Sequence, residues 1–194
     1  MANHRERMVA SAALLIRERG AHPTAIADVL AHSGAPRGSA YHYFPGGRTQ
    51  LLCEAVDYAG AHIAARIEKA GGGVEVLDVV VDGFRKQLVD SGFRAGCPVV
   101  AVAVESGDKG EAASPVIDRA AAAFGRWNAL TVDRLTADGV AADRAQELAM
   151  LVLAAVEGAI VVARASRDVK PLDLVHSQLR SLLEAAVTEG KAER

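Results

Sequence analysis

The sequence predicts an all-α protein of about nine helices, a short N-terminal group followed by a longer helical body. Three observations carry this. Apolar residues recur every three or four positions along most of the 194 residues. Glycine and proline cluster between those stretches, as in Pro45-Gly46-Gly47 and Gly71-Gly72-Gly73. No stretch alternates apolar and polar side chains with the period of two that a half-buried strand needs. Half of the residues (51%) are apolar but only 4% are aromatic, so small aliphatic side chains supply a sizeable core and a disordered chain is excluded.

The first helix is expected over about Arg5–Arg19, with Val9, Ala12, Ala13 and Ile16 on one face and Gly20 as its stop. Thr24 is the expected N-cap of a second helix, Ala25–Ser33, whose Ile26, Val29 and Leu30 turn inward. Gly34-Ala35 forms a tight turn. Pro36 suits the first position of a third helix, where its missing N–H costs nothing, and that helix ends near Tyr43. A fourth runs from about Arg48 to Lys69 and a fifth from about Val74 to Ser91. Gly96-Cys97-Pro98 opens a short sixth helix, Val99–Glu105, and residues 106–113 read as a polar loop. A seventh covers Ser114–Ala137, with Pro115 in its first turn, and an eighth Ala142–Arg167. Pro171 precedes a ninth, where Leu172, Val175, Leu179, Leu182, Leu183 and Ala186 step by three and four.

The net charge is −2, which excludes a globally basic nucleic-acid binder. The charge is uneven, however. Residues 1–50 hold six arginines against Glu6, Glu18 and Asp28, a balance of +3, and four of the six histidines; the remainder carries −5. A positive head on a negative body is what a DNA-contacting head would show. Cys53 and Cys97 lie too far apart for a disulfide framework or a CxxC metal knot and read as buried thiols in a reducing compartment. Glu6, Arg17, Glu18 and Arg19 interrupt the N-terminal apolar stretch, against a signal peptide. The most apolar stretch, Leu148–Ala163, is broken by Glu157 and is shorter than the roughly 18 residues a membrane span needs. A cytoplasmic protein without a membrane partner is expected.

The second and third helices, joined by a glycine turn, have the layout of a helix-turn-helix. The third is short and crowded with hydrogen-bond donors: Arg37, Ser39, Tyr41, His42 and Tyr43. Such groups donate to phosphate oxygens, and Gly38 lets the backbone approach a partner closely. Phe44 reads as the anchor that holds this helix on the first two. The plain alternative is a small structural helix with its polar side chains in solvent.

The run Gly20–Leu30 followed by Ser33–Arg48, with PRGSAYHYFPGGR at its centre, strongly resembles the DNA-binding head of TetR-family transcriptional repressors. Gly96-Cys97-Pro98-Val99 resembles the ligand-binding body of the LmrA/YxaF-like branch. The strong match covers about residues 5–60. Arg48 stands where a lysine is usual, and Ala35 and Ala40 where larger residues are common. The resemblance implies a head over residues 1–48 and a ligand-binding and dimerisation body over 49–194. It implies a homodimer on a palindromic double-stranded operator, released by a small hydrophobic or aromatic effector, with no cofactor. Thr24 is then expected to anchor a phosphate through its hydroxyl and a helix N-terminus. Ser39, Tyr41, His42 and Tyr43 are expected phosphate and groove contacts, and Arg48 a flanking phosphate contact. Arg37 is expected to read a base edge or to touch a further phosphate. Pro36 and Tyr41 can meet a thymine methyl.

In the body, Phe84, Leu88, Phe93, Val100, Val104, Phe124, Trp127 and Met150 are candidate pocket residues, with Gln87, Asn128 and Glu105 to orient a ligand. The plain alternative is that they only form the core. The eighth helix is apolar nearly all round and the ninth has one strong stripe. A dimer seam is expected through Leu153, Glu157, Ile160, Val161, Leu172, Val175, Leu179 and Leu182, with Glu157 meeting Arg164 or Arg126 across it. Three other readings stand beside this one, of which an activator or a ligand-independent DNA-binding protein is not separated from a repressor by the sequence. An enzyme would use Ser39/His42, Cys53 or Cys97/His62, but no G-x-S-x-G elbow, phosphate loop or HExxH supports it. A metal or thiol sensor on the same scaffold would use Cys53, Cys97, His62 or His176.

Overall fold

The computed structural model describes residues 3–105 and 114–192, so the expected polar loop at 106–113 lies outside the described residues. Nine helices and no strand are found among the described residues: α1 His4–Arg19, α2 Ile26–Ser33, α3 Ser39–Tyr43, α4 Gly47–Lys69, α5 Gly73–Asp90, α6 Pro98–Ala103, α7 Ser114–Ala137, α8 Ala142–Ser166 and α9 Lys170–Ala192. The predicted boundaries hold within about two residues except at α3. Residues Pro36 to Gly38 form a turn, not helix, and Ser39 closes it by donating both its N–H (3.0 Å) and its Oγ–H (2.7 Å) to the Pro36 carbonyl.

The chain divides into two compact units, residues 1–61 with 97–123, and residues 62–96 with 124–194. In the first, α1 starts on a capping box: the Asn3 Oδ1 accepts the Glu6 N–H (2.8 Å), and Glu6 Oε2 accepts the Asn3 N–H (3.1 Å). Its buried face, Met8, Val9, Ala12, Ala13 and Ile16, packs on α2 and α6. Gly34 ends α2 in the left-handed region (φ 66°), which a residue without Cβ adopts at no steric cost. The chain then reverses into α3, held by Ala40 and Phe44, both almost fully buried.

The second unit is built on α5, α8 and α9, with the last turns of α4 and most of α7. Asp138 Oδ2 accepts the Gly73 N–H at 2.6 Å and so caps the start of α5. By length and composition α8 could cross a membrane. Instead Leu148, Ala149, Val152, Val156, Ala159 and Ile160 are buried within the unit. Charged groups tie α5 to α9: Asp78 accepts from His176 Nε2 (2.7 Å) and from Arg180, and Arg85 donates to Asp173 (2.6 Å). Partial burial would push the Asp78 carboxyl up, but the hydrogen bonds and charges of Arg180 and His176 outweigh it and hold the carboxyl below its usual range. A carboxyl depressed in the folded state stabilises above its unfolded pKa, about 4, and that stability is lost as pH falls through the folded value. The melting temperature should therefore be level down to about pH 4 and fall below it. Asp78→Asn should remove part of that acid sensitivity, and an unchanged acid limb would show that the cluster does not contribute.

Candidate nucleic-acid interface and effector cavity

The head exposes a compact set of donors. Pro36, Arg37, Gly38, Tyr41 and His42 face solvent, with Tyr41 72% exposed. Tyr43 is half-buried, with the His42 ring edge-on to it at 5.2 Å. Arg37 and Tyr41 line an open groove with Ile26, Ala27, Leu30, Ala31 and Ala35 of α2 and the following turn. The other arginines show why Arg37 stands out. Arg5 pairs with Glu54 (2.7 Å), Arg7 with His4 (2.7 Å), and Arg19 with Asp28 (2.8 Å). Among the described residues the Arg37 guanidinium makes no hydrogen bond or ion pair. An exposed, uncommitted guanidinium beside an exposed phenol is unexplained by packing and suits a phosphate or a base edge.

Two residues expected at this surface are placed otherwise. Thr24 is 1% exposed and does not cap α2. Its hydroxyl donates to the Gly20 carbonyl at 2.7 Å, so it is spent inside the head and out of reach of phosphate. Asp28 takes over at the helix start, accepting the Ala25 N–H at 3.0 Å. Arg48, expected as a flanking phosphate contact, forms a latch within the head. Its Nε donates to the Thr24 carbonyl (2.9 Å), and its Nη2 to those of Ala21 (2.5 Å) and His22 (2.8 Å). Ser39 keeps its hydroxyl on Pro36, as described above.

The same turn is held from a second side. Glu105, expected to orient a ligand, accepts the His22 N–H through Oε2 at 2.9 Å. Its carboxylate lies so close to Gly20 that a Cβ there would sit 2.0 Å from Oε1, on a backbone already at φ +92°. The turn between α1 and α2 is thus clamped by Arg48 and Glu105.

In the second unit four helices line a cavity of about 40 Å³. Ile63 and Ile67 come from α4, and Val76, Leu77, Val80 and Phe84 from α5. Trp127 and Thr131 come from α7, and Val152, Leu153, Val156 and Glu157 from α8. Of the residues expected to line a pocket, Phe84 and Trp127 do so. Phe124 packs edge-on against Trp127 at 5.5 Å, and Leu88 is buried outside the lining. Gln87 Nε2 donates to the Gly96 carbonyl (2.7 Å). Asn128 is outside the lining, with a buried Oδ1 that has no hydrogen-bond partner among the described residues. Phe93 sits in the turn after α5 at φ 60°, while Val100 and Val104 belong to the first unit and Val104 is largely exposed. Met150 faces solvent.

Of the residues expected at a dimer seam, Leu153 and Glu157 line the cavity and are half-buried, whereas Ile160, Leu172 and Leu179 are buried within the protomer. Arg126 pairs with Glu68 at 2.7 Å, not with Glu157. Val175 and Leu182 are half-buried, and Val161 is 50% exposed. The uncovered apolar face of α8 runs through Met150, Leu151, Ala154, Gly158, Val161 and Val162, with Leu174 exposed on α9. A helix that is apolar all round does not reveal by periodicity which side is inside.

Among the described residues no group of three or more His, Cys, Asp or Glu could hold a metal. Cys97 is buried, and burial pushes the Cys53 thiol up, away from the reactive thiolate.

Comparison with known proteins agrees with this arrangement. Residues 9–55 match the model of bacterial regulatory proteins of the tetR family, and residues 73–178 match the LmrA/YxaF-like transcriptional regulator C-terminal domain. A helix-turn-helix transcriptional regulator of Mycobacterium tuberculosis is 65% identical, over 97% of this chain and 98% of its own. The transcriptional regulator LmrA of Bacillus subtilis is 29% identical, over 93% and 96%. The crystal structure of a TetR regulator from Chloroflexus aurantiacus is 29% identical and superposes with a TM-score of 0.71, covering 93% of this chain and 94% of that one. These relatives are named as transcriptional regulators. With a matching head, a matching body and a relative of nearly equal length, the chain belongs to the TetR family of bacterial transcriptional regulators, in its LmrA/YxaF-like branch.

Proposed function

We propose that the protein is a repressor that binds a palindromic operator as a homodimer and is released by a small apolar effector. Residues 1–48 serve as the reading head and 49–194 as the body. The observation that carries this is the uncommitted Arg37, in the turn that leads into α3, beside exposed Tyr41 on an α3 anchored by buried Ala40 and Phe44. Arg37 reads a base edge, Tyr41, His42 and Tyr43 contact phosphate and groove, Gly38 permits close approach, and Pro36 adds apolar contact. A transcriptional regulator works at the chromosome, which in a bacterium lies in the cytoplasm. Arg37→Ala should relax preference at one base position by about 1–3 kcal/mol and leave thermal stability unchanged, since nothing in the head depends on it. Unchanged sequence preference, measured by competition between operator variants, would remove Arg37 from the readout.

Pairing uses the uncovered α8 face. Small residues there, Ala154 and Gly158, allow helices to approach closely, and the flanking Leu151, Val161 and Val162 supply apolar area. A dimer sets two short α3 segments at the roughly 34–36 Å spacing of successive major grooves. Val161→Asp, at an exposed position, should leave the protomer folded and give a monomer by sedimentation; a variant that stays dimeric would place the seam elsewhere.

Release follows from the size of the cavity. About 40 Å³ holds no organic effector, and bound small molecules occupy roughly 300–1,000 Å³. An effector must therefore move the lining helices, of which α4 is one. The same helix carries Arg48, which clamps the α1–α2 turn. The effector shifts the equilibrium by as much as it prefers the displaced state.

A further inference from the structure

The reading of the head as a duplex-reading surface leaves open which base lies beside the one that Arg37 reads, and this inference rests on that reading. The groove bordered by Arg37 and Tyr41 is otherwise lined by Ile26, Ala27, Leu30, Ala31 and Ala35, all aliphatic. Ile26 and Leu30, and Ala27 and Ala31, are each four residues apart and so share a face of α2. Ala27 and Ala31 face solvent and Ile26 and Leu30 are half-buried, so this apolar strip is open to a partner. Its side chains offer no hydrogen bond. An edge of guanine, adenine or cytosine laid on it would give up its water and receive nothing in return. The 5-methyl group of thymine is the one apolar group that a base pair presents in the major groove. At the border of the strip, the Arg37 guanidinium suits guanine, whose O6 and N7 accept two hydrogen bonds from it.

We propose that each operator half-site holds a thymine directly beside the guanine read by Arg37, with the thymine methyl group seated on Ala27 and Ala31. The two alanines supply carbon surface while leaving the groove unfilled. The test uses the full-length protein and an operator selected from random duplex DNA. Deoxyuridine is put in place of one thymine at a time, an exchange that removes the methyl group alone. Beside the base pair whose preference is lost in Arg37→Ala, this exchange should weaken binding about fourfold, the effect of burying one such carbon. At the same position 5-methylcytosine should bind more tightly than cytosine by a similar factor, and that comparison needs no variant. Ala31→Asn, at an exposed position, should leave the protein folded and bring both ratios below about twofold. A motif without thymine beside that guanine would overturn the inference and spare the duplex-reading surface. Equal binding of thymine and deoxyuridine there, or ratios unchanged in Ala31→Asn, would overturn it in the same way. No motif from the selection would overturn the surface itself and this inference with it.

Discussion

Phe44→Ala is expected to destabilise the protein by about 3–5 kcal/mol, the range for emptying a buried aromatic site. Phe44 is 1% exposed and heads the largest fully buried side chains. It follows α3 directly, and the Arg5 guanidinium lies 5.3 Å from its ring centroid, adding a cation–π contact. Because α3 has five residues and one buried side chain, Ala40, it has no other apolar anchor of size. Removing the ring should therefore free α3 before it unfolds the rest. Urea unfolding with hydrogen exchange checks this: amides of residues 26–56 should lose protection first, and DNA binding should vanish with them. Phe44→Leu should retain most of the stability. Near-native stability of Phe44→Ala would mean that α3 is held by something other than this side chain.

Arg48→Ala has the next largest expected effect, and it separates two roles for one arginine. The guanidinium donates three hydrogen bonds to carbonyls of residues 21, 22 and 24. At about 0.5–1.5 kcal/mol net for each, their loss should loosen the α1–α2 turn and weaken operator binding by tenfold or more. A residue that acts through the turn leaves the salt dependence of binding intact, whereas a phosphate contact lowers the slope by about 1. The expected result is weaker binding with an unchanged slope and earlier exchange of the amides of residues 21–25. A reduced slope with normal exchange would return Arg48 to the phosphate.

Much of this architecture was legible in the sequence because it is written in local terms. Helical periodicity placed all nine helices, and the donor-rich run from Arg37 to Tyr43 marked the surface that the structure leaves exposed. What was not legible depends on residues distant in sequence. Thr24 looked like an N-cap because it precedes the apolar run, but it packs inward and Asp28 does the capping. The latch of Arg48 spans 24 to 27 residues and the clamp of Glu105 spans 83, and no spacing rule reports such pairs. The cavity is a packing outcome of four helices, so only its aromatic members, Phe84 and Trp127, were picked out. Ile160 was picked for a seam although it is buried, because α8 is apolar on every side and periodicity does not tell its inner face from its outer one.

The central claim is that the exposed face of α3 reads a duplex. Selection of binding sites from random double-stranded DNA, run with the native protein and with an Arg37→Ala/Tyr41→Ala variant, tests it most directly. An inverted repeat should emerge with the native protein and fail to emerge with the variant, whose melting temperature stays unchanged. The same motif recovered with equal strength by the variant, or no motif with either protein, would contradict it.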